Sequence, residues 1–171
     1  MPQPRSVRTV SRRAFMQAAL LAPLTALAIA CAGNDAPTGN ANPSNPATET
    51  FASSLGIDIA SMTKKNDNLY VRDITVGTGA EAIVGRSVRM HYTGWLANGT
   101  QFETSVGGSP IPFVLGNQQV IAGWDQGIPG MRVGGKRRLV IGSALAYGPT
   151  GQGSIGANQT LIFDVELVSV Q

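Results

Sequence analysis

From residue 69 onward, apolar and polar positions alternate in short runs separated by glycine-rich turns. Leu69 to Val76 predicts a strand that stops at Gly77-Thr78-Gly79. Ser87 to Leu96 is clearer: Val88, Met90, Tyr92 and Leu96 fall on one face, and Arg89, His91 and Thr93 on the other. Asn98-Gly99 is a hairpin turn signal, so Thr100 to Thr104 is the returning strand. Ile111 to Leu115 predicts a further strand, and Lys136 to Ile141 another with Leu139 and Ile141 inward. Thr160 to Val170 closes the series, with Leu161, Phe163, Val165 and Leu167 on one face.

One segment breaks the two-residue rhythm. Val120 to Met131 spaces Ile121, Trp124 and Ile128 as one helical face. Gly123 and Gly127 each cost about 1 kcal/mol relative to Ala in a helix interior, and Pro129 ends the run. A helix this weak forms only when its apolar face is buried against a sheet. Trp124 then floors either a core or a pocket, and the two glycines are expected to keep the polar side slim. The elements add up to an α+β domain over residues 67–171, a five- to six-stranded antiparallel sheet curled around one short α-helix.

The chain before residue 67 is organised differently. Ser11-Arg12-Arg13-Ala14-Phe15 precedes the uncharged run Ala18 to Ala30, shorter than the roughly 20 residues that span a membrane. Basic leader, short apolar run and small residues are the parts of a secretory signal over 1–30. The paired arginines resemble a twin-arginine leader, with general secretion as the other route. Leu27-Ala28-Ile29-Ala30-Cys31 resembles the lipobox of bacterial lipoproteins, which implies a lipidated Cys31, a membrane anchor and an exported, envelope-bound protein. The other reading is a signal cleaved elsewhere and an incidental cysteine. Residues 31–50, rich in Asn, Pro, Thr and Ala, are expected to form a disordered tether. Phe51 to Asn66 is an extension that either packs on the domain or stays loose.

Charge and chemistry narrow the function by exclusion. The formal net charge of +3 comes from Arg5, Arg8, Arg12 and Arg13; beyond residue 30, nine Lys and Arg face ten Asp and Glu. Lys136-Arg137-Arg138 is the one basic cluster there and is expected to be a solvated strand edge, so nucleic acid is not an expected partner. Gly130-Met131-Arg132-Val133-Gly134-Gly135-Lys136-Arg137 approaches a phosphate loop, but it lacks the following Ser or Thr and feeds a strand, not a helix. His91 is the sole histidine, without evident partners for a triad or a metal, and Cys31 is the sole cysteine. Asp164 and Glu166 fall on the polar face of the last strand as solvated or paired groups. No nucleophile, metal cluster or cofactor cradle is expected.

Five blocks then carry a resemblance. Val88-Arg89-Met90-His91-Tyr92-Thr93-Gly94-Trp95-Leu96, Asn98 to Ser105, Val120 to Met131, Ala146-Tyr147-Gly148 and Thr160 to Leu167 resemble, in order, the FK506-binding proteins, a family of peptidyl-prolyl cis-trans isomerases. The resemblance implies an antiparallel sheet curled around a short helix, no cofactor, proline-containing polypeptide substrates, and macrolide ligands such as FK506 or rapamycin. It implies Trp124 as the floor of a proline pocket, Tyr92, Phe102 and Phe163 as its aromatic walls, and Val120 and Ile121 at its entrance. The Ile121 N–H and the Tyr147 hydroxyl would donate to substrate carbonyls, and Ile155 would cover the site. Alternation alone puts Tyr92 and Phe163 inward, where plain core residues would also lie.

Three positions depart from the family pattern. Glu103 stands where Asp is usual, adding a methylene that would disturb a contact with the Tyr92 hydroxyl. Ile111 replaces a common aromatic wall residue. Gly156-Ala157 replaces a Pro-Pro pair, raising the entropy of the covering loop. Two functions remain open on the residues: an isomerase assisting the folding of exported proteins, or a weakly catalytic chaperone or proline-peptide binding module of the envelope.

Overall fold

The computed structural model describes residues 43–171; the expected signal region 1–30, Cys31 and the first part of the expected tether lie outside them. All strand pairings in the sheet are antiparallel, through β1 (Thr63–Asn66), β2 (Leu69–Thr75), β3 (Ser87–Leu96), β4 (Gln101–Thr104), β5 (Ile111–Val114), β6 (Lys136–Ile141) and β7 (Leu161–Val170). The spatial order is β1-β2-β6-β7-β3-β4, with β5 also paired to β3. The sheet thus has seven strands, more than the alternation predicts. The unanticipated strand is β1, whose Thr-Lys-Lys-Asn residues are all exposed and leave no apolar rhythm to read.

Among the described residues a single α-helix, α1 (Ala122–Gly127), lies on one face of this sheet against β2 and β6. Its seat is built from three successive inward positions of β6. Ile141 meets the helix at Gly123, where an added Cβ would stand 2.5 Å from Ile141 Cγ2. Leu139 meets it at Gly127, where a Cβ would stand 2.9 Å from Leu139 Cδ2. Arg137 donates from Nη1 to the Gly127 carbonyl at 2.8 Å, and from Nε and Nη2 to the Asp73 carboxylate at 2.6 and 3.1 Å. Two expectations are corrected here. The glycines do not slim a polar side; they are buried and set how closely the helix approaches the sheet. Arg137 is not a solvated edge residue either, being 8% exposed, because the last carbonyls of a short helix need a donor.

Each face of the sheet has its own core. The helix face buries Leu69, Val71, Val88, Met90, Leu139, Ile141, Leu161, Phe163, Val165 and Leu167 together with Trp124 and Ile128. The opposite face carries Tyr70, Val140 and Ile162, covered by Leu55 and Met62 from the extension. Phe51, Ala52, Ile57 and Ile59 complete the cover, so the extension packs on the domain. Arg138 pins it, donating to both Asp164 oxygens at 2.6 and 2.7 Å and from Nη1 to the Leu55 carbonyl at 2.5 Å. The expected tether is corrected over residues 43–50. Ser44 is 5% exposed and Pro46 is buried, because this stretch finds buried hydrogen-bond partners on the domain.

The close helix seat makes a direct prediction. Gly123→Ala gains about 1 kcal/mol of helix propensity but forces a methyl into Ile141, and overpacking a filled core costs about 1–3 kcal/mol. The variant should therefore be less stable than the parent by up to about 2 kcal/mol in urea unfolding.

Candidate functional site

The residues singled out in the sequence come from seven separate places. Tyr92 lies on β3, Phe102 and Glu103 on β4, Ile111 at the start of β5, and Phe163 on β7. Val120 and Ile121 lead into α1, which presents Trp124. Tyr147 follows the short 3-10 turn Ser143–Leu145, and Ile155 lies in the loop before β7. The fold gathers the apolar members at one core. Tyr92, Trp124, Ile155 and Phe163 are buried in it, whereas Phe102, Ile111, Val120, Ile121 and Tyr147 are half-buried against it. Cys31 lies outside the described residues.

Trp124 stands at the centre of the aromatic group. Tyr92 meets it edge-on, with ring centroids 5.2 Å apart at 78°, and Phe163 does so at 5.3 Å and 88°. Phe102 extends the chain of edge contacts, 5.6 Å from Phe163 at 88°. Such pairs are worth about 0.5–1.5 kcal/mol each beyond the area they bury, so each ring fixes its neighbour's orientation. Trp124 Nε1 is buried without a hydrogen-bond partner among the described residues, so the indole presents an apolar surface around an unmatched donor.

Three supporting residues escaped the sequence reading. Phe113 packs 5.9 Å from Trp124 at 50° and is 3% exposed; its inward place in Ile111–Val114 was the available signal. Gly94 makes room for the rings, since a Cβ there would stand 2.6 Å from Phe102 Cζ and 2.9 Å from Phe163 Cε1. A glycine inside a strand marks such a close approach. Asp125 accepts from the Gly116 and Gln118 N–H groups at 2.8 and 3.0 Å, tying the loop that leads to Val120 and Ile121 onto the helix.

Electrostatics at the site are dominated by two phenols and one carboxylate. Burial holds the Tyr92 pKa well above the usual tyrosine value, helped by the charge of Glu103 and a hydrogen bond to it. Tyr147 is raised in the same direction, first by burial and then by Glu103. Both hydroxyls are donors at neutral pH. His91 is a bystander, its Nδ1 lying 3.2 Å from Ser105 Oγ.

Comparison with known proteins decides the family. Residues 79–168 match the family described as FKBP-type peptidyl-prolyl cis-trans isomerase. The chain belongs to this family. An FK506-binding protein of Neisseria meningitidis serogroup A is 48% identical over 105 residues, spanning 60% of this chain and 96% of the relative. A peptidyl-prolyl cis-trans isomerase of Saccharomyces cerevisiae is 45% identical over 103 residues, spanning 60% of this chain and 25% of that one. Among solved structures, AtFKBP13 superposes with a TM-score of 0.57 at 40% identity, covering 60% of this chain and 93% of its own. FkpA from Escherichia coli gives 0.61 at 33% identity, covering 70% and 55%. The activity is that of a peptidyl-prolyl cis-trans isomerase, and the sheet-on-helix fold is the family's.

The raised phenol pKa values give a pH dependence. A tyrosine whose folded pKa exceeds its unfolded value contributes stability that is fully present below about pH 10, the unfolded value, and is lost as pH rises through the folded one. The urea midpoint should therefore fall above pH 10 in the parent. The fall should be shallower in Tyr92→Phe, as a midpoint series from pH 8 to 11 would read.

Proposed function

We propose that the chain isomerises X–Pro bonds at the aromatic group around Trp124, on polypeptides folding outside the cytoplasm. The observation that supports this site most directly is the edge-to-face assembly of Tyr92, Trp124, Phe163 and Phe102, flanked by half-buried Ile111, Val120, Ile121 and Tyr147. It combines a rigid apolar floor with groups still open to solvent. Macrolides such as FK506 or rapamycin are the small-molecule ligands this reading implies.

The chemistry needs no nucleophile, because no covalent bond is made. Rotation about a peptide bond meets a barrier of about 18–20 kcal/mol from amide resonance. The planar amide is the more charge-separated form, so a dry aromatic surface disfavours it relative to the twisted one. In our reading the proline ring sits on the Trp124 indole, with Tyr92, Phe102 and Phe163 as walls, Val120 and Ile111 at the entrance, and Ile155 as cover. The Ile121 N–H, at the uncapped start of α1, donates to one substrate carbonyl. The Tyr147 hydroxyl, protonated at neutral pH as any phenol is, donates to another. Glu103 orients Tyr92 through their hydrogen bond.

A protease-free assay on a Leu-Pro peptide tests this arrangement. Tyr147→Phe should lower kcat/KM about two- to tenfold, the equivalent of one lost hydrogen bond of about 0.5–1.5 kcal/mol. Trp124→Leu should lower it at least about tenfold. Unchanged rates in both variants would overturn the site assignment.

The location rests on the leader. The twin arginines Arg12-Arg13, the uncharged run to Ala30 and the lipobox-like Leu27 to Cys31 support export and lipidation of Cys31. Several acyl chains anchor stably at about 0.8 kcal/mol per buried CH₂. Cys31→Ser should move the protein from the membrane to the soluble fraction without changing its isomerase activity. A variant that stays in the membrane fraction would overturn the anchor.

A further inference from the structure

The loop that carries Tyr147 and Ile155 runs from the end of β6 to the start of β7, and the stretch 43–50 grips both of its stems. At the first stem, Ser44 and Ser143 exchange hydrogen bonds. The Ser44 N–H donates to Ser143 Oγ at 3.0 Å, and the Ser143 N–H donates to Ser44 Oγ at 2.9 Å. Both serines are buried, at 5% and 1% exposure. The adjoining Gly142 lies directly beneath the stretch: an added Cβ would stand 2.9 Å from the Ser44 carbonyl oxygen and 3.0 Å from Pro46 Cδ. At the second stem, the Thr160 hydroxyl, 1% exposed, donates to the Glu49 carboxylate at 2.8 Å.

Between the stems the loop carries its own backbone hydrogen bonds, beside the core contacts of Tyr147 and Ile155. Gly148 N–H donates to the Ser143 carbonyl at 2.9 Å, Asn158 N–H to the Gly148 carbonyl at 2.8 Å, and Gln152 and Ile155 pair with each other at 2.8 and 2.9 Å. Ser143 and Thr160 therefore fix the two ends of the segment that brings Tyr147 and Ile155 to the core. Residues 151–157 hold three glycines, which leave such a loop costly to order.

We propose that Ser44 and Glu49 are positioning residues of the isomerase, clamping the two stems of the 143–160 loop so that Tyr147 and Ile155 are ordered before substrate arrives. This rests on the reading of Tyr147 and Ile155 as site residues. Ordering the loop in advance removes an entropic cost from binding, so the signature of the clamp is on KM more than on kcat.

The test uses the full chain. In the double variant Ser44→Ala/Glu49→Ala, KM for a Leu-Pro peptide should rise roughly three- to tenfold while kcat stays within about twofold, the loss of one or two buried hydrogen bonds. Amide exchange over residues 145–157 should accelerate while that of β3 and β7 does not. Glu49→Gln, which keeps a carbonyl acceptor for Thr160, should retain the parental KM. Leu55→Ala serves as a control, since it loosens the same extension without touching the loop; it should lower the Tm yet leave KM and loop exchange unchanged. Parental KM and loop exchange in the double variant, with Tyr147→Phe still impaired in the intact chain, would overturn the clamp alone. An equal rise in KM for Leu55→Ala would also overturn it. A silent Tyr147→Phe would overturn the site reading and the clamp with it.

Discussion

The distance between α1 and β6 is the constraint on which the site depends. A six-residue helix containing two glycines cannot persist through its own hydrogen bonds. It persists because Gly123 and Gly127 let it settle onto Ile141 and Leu139, and because Arg137 takes the carbonyl at its end. These three β6 residues share one face, so a single strand supplies both the apolar bed and the polar stop. The propensity lost at each glycine is offset by packing that no side chain there would allow. The depth of Trp124 follows, since its indole can meet Tyr92 and Phe163 edge-on only while the helix lies this low.

The site proposed at the aromatic group needs no reactive chemistry. Each ring is oriented by another ring, and the last of them is accommodated by the missing side chain of Gly94. Polar support stays at the periphery, where Asp125 holds the loop before Ile121. Under the proposed function, an apolar interior with donors at its rim is the division that amide rotation asks for.

Strand and helix positions were legible because their signals are local. The alternation of Val88, Met90 and Tyr92 against Arg89, His91 and Thr93 gave β3 its observed limits, Ser87–Leu96. Gathering Tyr92, Trp124 and Phe163 in one core followed from inward faces joined to the family resemblance. What escaped was the second face. Val140 and Ile162, both fully buried, fall between the inward residues of β6 and β7, and their partners Leu55 and Met62 come from a segment without regular spacing. The role of Arg137 escaped for a related reason: an arginine beside Lys136 and Arg138 reads as surface until the helix end it serves is placed. The stretch 43–50 read as tether because polar and small residues mark disorder by composition, whereas its anchorage depends on individual hydrogen bonds to Ser143 and Thr160.

The covered second face changes what the N-terminal stretch means for the domain. A sheet with one packed face needs no extension, yet here Tyr70, Val140 and Ile162 would meet water without Leu55 and Met62. Arg138 joins Leu55 to Asp164, and the residues before it run past Gly142 and Thr160 with hydrogen bonds of their own. A flexible covering loop, with Gly156-Ala157 in place of a stiffer proline pair, is thereby bordered by a buried serine pair and a buried threonine. Stiffness that the loop lacks in its own sequence is supplied by a segment about a hundred residues earlier. The stretch 43–50, the extension and the 143–160 loop are thus parts of one physical arrangement, in which the segment that precedes the sheet also finishes it.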